Sequence, residues 1–225
     1  ADKKHVRNNV CEGTVHSIQD FSENGTLEPK RELQSQYFRE KGYTLYGCVV
    51  DRHINDLIIP EDERAALIKL KDEKGLPHTV TETLIVISDD LVHDNAAVQH
   101  FNDKYILPYL RSTMNKPLKV HYVTSDGCPS QYKCCSHFLW ISKHQARTTV
   151  TLDWSVGTPA HNKDMSDAEC GGAKHMVDQV NMAHVSGDQS RHKQLAEVVD
   201  AFEHLEEAYS MPKKTLEQKG GRGVW

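Results

Sequence analysis

The residues of this 225-residue chain that could do chemistry are carboxylates placed after runs of strand-like sequence. Asp20 closes the alternating run over 14–18, and Asp126 follows the run over 118–123. Asp167 opens a helical pattern beyond a third run, 149–156. In an α/β sheet, ligands bind beyond the carboxyl ends of strands, where side chains distant in sequence converge. Three carboxylates gathered there repel one another unless cations neutralise them, and hard oxygen donors suit Mg²⁺ or Mn²⁺. The matching chemistry is two-metal phosphoryl transfer, in which one ion activates an attacking water or hydroxyl and the other stabilises the leaving oxygen. Taken singly, each aspartate is better read as a turn or helix-cap residue. Only the three together, in one order of elements, point to a site.

Hydrophobic periodicity supplies those elements. The first strand, 14–18, runs out through Asp20 and Phe21 into the turn-prone Glu23-Asn24-Gly25. A second strand spans 43–50, with Tyr37-Phe38 as an earlier start. Residues 51–78 are charged and Pro-bearing, and read as an insertion or long connection with one short helix over 61–70. The continuous apolar run 83–87 predicts a central strand buried on both faces. A helix then carries Val98, Phe101, Tyr105 and Leu110, and strand 118–123 follows. Pro129-Ser130 opens the next helix, to about 143; strand 149–156 and a helix over 166–184 come after it. A last amphipathic helix bears Leu195, Val198, Val199, Phe202 and Leu205, with Glu197, Glu203, Glu206 and Glu207 opposite, and suits a packed surface helix or an oligomer contact. The order β-β-β-α-β-α-β-α predicts an α/β fold: a mixed sheet, antiparallel early and parallel later, with helices on its faces. The expected organisation is one domain over 12–186, a C-terminal helix over 187–210 and a flexible tail over 211–225.

Composition narrows the function classes. Lys and Arg number 27 against 32 Asp and Glu, a net charge of −5, which excludes a basic tail-like nucleic-acid binder but not a local basic face. No apolar run approaches the roughly 20 residues of a spanning helix, so no membrane partner is expected. Cys11, Cys48, Cys128, Cys134, Cys135 and Cys170 form no C-x-x-C pair, which favours a reducing, intracellular compartment. Cys128, Cys134, Cys135 and Cys170, with His137 and His175, fit no usual zinc spacing, so zinc is not expected. The chain starts at Ala1 without Met and stops at Val224-Trp225, and is expected to be a fragment of something longer.

Further residues have two readings each. His161 and Lys163 precede the third acid and could contact a phosphate, or simply line a polar loop. Gln131, Lys133, His137, Lys143, His144 and Arg147 could offer phosphate contacts, with the interleaved Tyr132, Phe138 and Trp140 better read as core. Gly171-Gly172 inside a helical pattern suits either a kink or the close approach of another backbone or a nucleic-acid strand. Asp89, Asp90, His93 and Asp94 form a second acidic cluster that a helix N-cap explains well.

Three blocks carry a family resemblance. Asp20-Phe21-Ser22-Glu23-Asn24, then Ser125 to Lys133, then His161-Asn162-Lys163 through Asp167 to Gly171-Gly172-Ala173-Lys174, resemble a family of uncharacterised eukaryotic proteins. That family carries D-F-S-E-N, S-D-G-x-x-S-Q-[FY]-K and H-G-K-x-x-x-D-x-x-G-G-x-x-K blocks and is similar to the catalytic cores of DDE-type transposases. The resemblance covers about residues 15–185. It implies a ribonuclease-H-like sheet, an element order similar to the one read above, and a nuclease or strand-transfer reaction on DNA, in the nucleus. By the resemblance Asp20, Asp126 and Asp167 take the metal-ligand positions for Mg²⁺ or Mn²⁺, and His161, Lys163, Lys133, Gln131 and Lys174 contact substrate. Two departures matter. Asn162 stands where the family has Gly, and the Gly pair falls one residue late, which leaves Glu169 as a rival third acid. The alternative is a domesticated, catalytically silent module of the same fold that binds nucleic acid or protein, with homo-oligomerisation compatible with either. A zinc-centred module is a distant third.

Overall fold

Runs of β-branched and aromatic residues become six strands in the computed structural model, which describes residues 9–27, 41–157, 165–183 and 198–210. They are β1 (Thr14–Phe21), β2 (Gly25–Leu27), β3 (Lys41–His53), β4 (Thr79–Ser88), β5 (Val120–Ser125) and β6 (Thr151–Val156). The helices are α1 (Glu61–Glu73), α2 (Asn95–Phe101), α3 (Leu107–Thr113), α4 (Cys135–Thr148), α5 (Met165–Ala183) and α6 (Val198–Ser210). The expected Tyr37-Phe38 strand start and the 211–225 tail lie outside the described residues. Among the described residues no helix is long and apolar enough to cross a membrane.

The strands make a mixed, partly parallel open sheet in the order β2-β3-β1-β5-β6, with β4 paired to β3. β1 is parallel to β5, and β5 to β6. β2 and β3 form an antiparallel pair. Ser22 donates to the Leu45 carbonyl while His16 meets Asp51, so β1 and β3 run in opposite directions. The parallel step from β5 to β6 is bridged by the helix α4, as parallel pairing of consecutive strands requires. The α/β class and the mixed sheet are as the sequence predicts.

Three expectations are corrected. The β4 run is not a strand buried on both faces: from Val80 to Ser88 every position is only half-buried, because β4 pairs with β3 alone among the described strands. The connection assigned to 51–78 begins later, since β3 continues through Asp51, Arg52 and His53. Charged residues can continue a buried strand when each is paired; here Arg52 donates to Glu82 at 2.8 Å and Asp51 meets His16. The helix expected through Tyr105 is interrupted by a π segment, Asn102–Ile106, just before Pro108. Proline lacks the N–H that an α-helical ladder needs; Tyr105 is 53 % exposed while Val98, Phe101 and Leu110 stay buried.

The described residues form two compact units. One comprises 9–20, 48–84 and 93–157; the other comprises 21–27, 41–47, 85–92, 165–183 and 198–210. In the first, Val123, Trp140 and Leu152 pack with Ile141 and Trp154 between α4 and the parallel strands. In the second, Cys170, Ala173 and Val177 make the helical stripe by which α5 covers Leu27, Tyr43 and Leu45, with Ala201 and Leu205 of α6 completing the core. Gly47 permits that closeness: a Cβ there would stand 2.6 Å from the Cys170 sulfur. The apolar stripe expected on the last helix is divided, with Leu205 buried but Val199 and Phe202 exposed.

Candidate active site

The parallel pairing of β1 and β5 decides where two of the three acids stand. The register sets Thr14 against Val120 and continues to Gln19 against Ser125. Continued by one residue, the same register sets Asp20, within β1, level with Asp126, which lies just past the end of β5. Paired strands lie about 4.8 Å apart, so two residues far apart in sequence become close neighbours. Asp20 and Asp126 are both half-buried.

Asp126 opens a tight loop. Its Oδ1 accepts from the Cys128 N–H at 3.1 Å, an Asx turn. The Cys128 carbonyl then accepts from the N–H groups of Gln131, Tyr132 and Lys133. This turn displaces the helix that Pro129-Ser130 was expected to open: α4 starts at Cys135, because the intervening backbone spends its donors on one carbonyl. Behind the loop, the Trp154 indole N–H donates to Ser125 Oγ at 2.8 Å, and Ser125 Oγ donates to the Asp126 carbonyl at 3.2 Å.

The residues expected to contact substrate are distributed unevenly. Lys133 is exposed on the loop, whereas Gln131 is buried with its Oε1 unpaired among the described residues. His137 and His144 are wholly buried, so they do not carry the phosphate contacts considered for that helix. His137 stacks on Trp140 at 5.6 Å and meets the edge of Trp154 at 4.6 Å. Burial pushes both imidazoles down to about 4, with Asp103 partly opposing it for His144. Of the interleaved aromatics, Tyr132 and Trp140 are core, as expected, but Phe138 is 52 % exposed. The sequence offered no warning of the histidines, since polar residues at helical spacing read as a solvated face.

In the second unit, Asp167 lies exposed in the first turn of α5, and Glu169 is half-buried. Lys174 donates to the Glu23 carbonyl at 3.1 Å, which ties the third sequence block to the first. Asn24 of the first block accepts from the Thr44 hydroxyl at 2.7 Å and donates to the Leu91 carbonyl at 3.1 Å. Nothing among the described residues comes within 4 Å of where a Cβ would stand on Gly171 or Gly172, so no described backbone requires either glycine. His161 and Lys163 lie outside the described residues.

The second acidic cluster is a cap: Asp94 Oδ1 accepts from the Ala97 N–H at 2.9 Å at the start of α2, and Asp90 accepts from Val92. All six cysteines are free thiols. Among the described residues no group of three or more His, Cys, Asp or Glu side chains is arranged to hold a metal ion. Carboxylates such as Asp20 and Asp126 offer hard oxygens, which suit Mg²⁺ or Mn²⁺ rather than a soft ion.

A network missed in the sequence lies on β1 itself. His16 Nδ1 meets Asp51 Oδ2 at 3.3 Å, His16 Nε2 meets Thr124 Oγ1 at 3.2 Å, and the Thr81 hydroxyl donates to Asp51 Oδ1 at 2.5 Å. Its only sequence signal was the run of polar residues His16, Ser17, Gln19 and Asp20 within a strand that is otherwise buried.

Comparison with curated proteins finds no match to the chain. Residues 66–218 match a family model described as a domain of unknown function, DUF8701. That stretch begins after β1 and β3, so it takes in Asp126, Asp167 and Glu169 but not Asp20. The match covers more than half of the chain, which therefore belongs to the DUF8701 family.

Proposed function

We propose that this chain is a divalent-metal-dependent phosphodiester nuclease or strand-transfer domain of the DDE type, acting on DNA in the nucleus. The observation that carries this is the level placement of Asp20 and Asp126 at the ends of two adjacent parallel strands. Support also comes from the strand order. With β4 on β3, β3 antiparallel to β1, and β1, β5 and β6 parallel, it is compatible with the ribonuclease-H-like sheet that the resemblance implies.

Asp20 and Asp126 would hold the ion, since carboxylates on neighbouring strand ends repel one another unless a cation neutralises them. A bound Mg²⁺ or Mn²⁺ supplies Lewis acidity toward a phosphoryl oxygen. The chain's own part is geometric. The strand pairing fixes the distance between the acids, and the Asx turn with the Trp154–Ser125 link holds the Asp126 backbone in place. Lys133, exposed on the same loop, offers a point charge for a flanking phosphate. Asp167 is proposed as the third acid, with Glu169 as its rival; His161, Lys163 and Lys174 are proposed at the substrate.

The test is Mn²⁺ titration by calorimetry, with and without duplex DNA, on the intact chain and on Asp20→Ala and Asp126→Ala. Saturable binding that either substitution abolishes is expected, followed by Mn²⁺-dependent cleavage of supercoiled DNA. Loss on Asp167→Asn but not Glu169→Gln assigns the third acid. No Mn²⁺ uptake under either condition overturns the enzyme reading. A silent nucleic-acid- or protein-binding module is then favoured by the Asx turn, which gives Asp126 a complete structural role without a metal.

A further inference from the structure

We infer that His16, with Thr124 and Asp51, is a positioning device that locks the register of β1 against β5 and so keeps Asp20 level with Asp126; the inference rests on the metal-site reading above. The network crosses four strands: Thr81 on β4, Asp51 on β3, His16 on β1 and Thr124 on β5. His16 and Asp51 are 2 % and 1 % exposed, and Thr124 is 8 % exposed, so none of these bonds is replaced by water at no cost. With the imidazole proton on Nδ1, every donor points toward the Asp51 carboxylate: Thr81 O–H and His16 N–H give to it, and Thr124 O–H gives to Nε2.

The position of this network explains its purpose. Side chains alternate along a strand, so His16, Ile18 and Asp20 leave one face of β1. Thr124 is level with Ile18 and precedes Asp126 by two residues. The His16–Thr124 bond is therefore diagonal and joins two successive rows of the pair. A one-residue slip between strands would turn a buried face outward and is strongly resisted. A two-residue slip keeps every apolar residue on its own face, so hydrophobic patterning resists it least. It would bring Asp126 beside a residue other than Asp20, and would part the buried His16 Nε2 and Thr124 hydroxyl from one another. The hydrogen bond is directional where burial is not, and it forbids that slip. Ser17 and His121 join the same strands on the opposite face at 2.8 Å, but that bond does not extend to β3 or β4.

The experiment uses the full chain with Thr124→Val, which keeps shape and removes the hydroxyl, and Thr124→Ser, which restores it. Two quantities are read: Mn²⁺ affinity, and hydrogen exchange at the amides of residues 19–20 and 125–126. Thr124→Val is expected to weaken Mn²⁺ binding by more than twofold, as the register loosens, and to speed exchange at those amides. Thr124→Ser should match the parent in both. A folded Thr124→Val that binds Mn²⁺ within twofold of the parent overturns the inference, as does equal weakening by Val and Ser. If Thr124→Val does not fold, Thr81→Val at the far end of the network takes its place with the same readings. If the parent binds no Mn²⁺, the metal reading has failed, and the exchange rates alone decide the register lock: unchanged exchange in Thr124→Val removes it.

Discussion

The two faces of the β1–β5 pair use the same kinds of residue for different ends. On one face His16, Thr124, Asp51 and Thr81 form a network made only of strands, two residues short of the Asp20–Asp126 level. On the other, Gln19 and Asn102 exchange hydrogen bonds at 3.1 and 2.9 Å, and Asn102 also donates to the Val98 carbonyl. That face therefore fastens the π segment after α2 to the sheet. One set of bonds links four strands and no helix; the other joins β1 to β5 through Ser17 and His121 and also fastens a helical segment to the sheet. A buried polar group carries no label of purpose; what it touches supplies one.

The contrast can be broken most forcefully on the helical side. Trp140 stacks on His137, receives Arg147 over its ring at 5.7 Å and donates to Asp103 at 3.1 Å. Trp140→Ala should cost about 3–5 kcal/mol by denaturant unfolding, in line with large-to-small core replacements. Acid is the next largest lever. Burial lowers His137 and His144 to about 4 and His121 to about 3 from an ordinary 6.5, so the folded state refuses protons that the unfolded chain accepts. Stability is then full above about pH 6.5 and falls as the pH drops through 4, flattening only toward 3. Thermal unfolding across that range checks it, and His137→Phe should reduce the slope.

Smaller effects sharpen the distinction between the faces. Asn102→Ala leaves Gln19 short of a partner and should destabilise by about 2 kcal/mol. Mn²⁺ affinity in the folded protein should stay unchanged, since that face does not reach the acids. An equal loss of Mn²⁺ affinity from Asn102→Ala and Thr124→Val would erase the difference between the faces. Last, Gly172→Ala in α5 should raise stability by about 1 kcal/mol, because helix interiors favour Ala over Gly and no described neighbour fills the space. If the same change also weakens DNA binding, the open space above Gly172 admits a nucleic-acid strand.

Much of this was legible in the residues, and the failures are instructive. β1, β3, β5, β6 and α5 follow from periodicity, because a half-buried strand or helix must repeat its apolar residues at its own pitch. The Asp94 cap was legible for a similar reason, since its chemistry is complete within three residues. The burial of Asp51, Arg52, His137 and His144 was not, because it depends on partners or packing contributed by other elements. The late start of α4 was hidden too: Pro129-Ser130 is a sound helix opening until the Cys128 carbonyl takes three donors.

By itself, then, the sequence determined the α/β class, most strands and helices, and the presence of Asp20 and Asp126 at strand ends, all of them properties of local period and turn chemistry. Only the tertiary structure decided that β1 lies beside β5, in the register that makes those two acids level. Register is a relation between strands a hundred residues apart. It is settled by cross-strand bonds such as His16 to Thr124, and no local pattern encodes it.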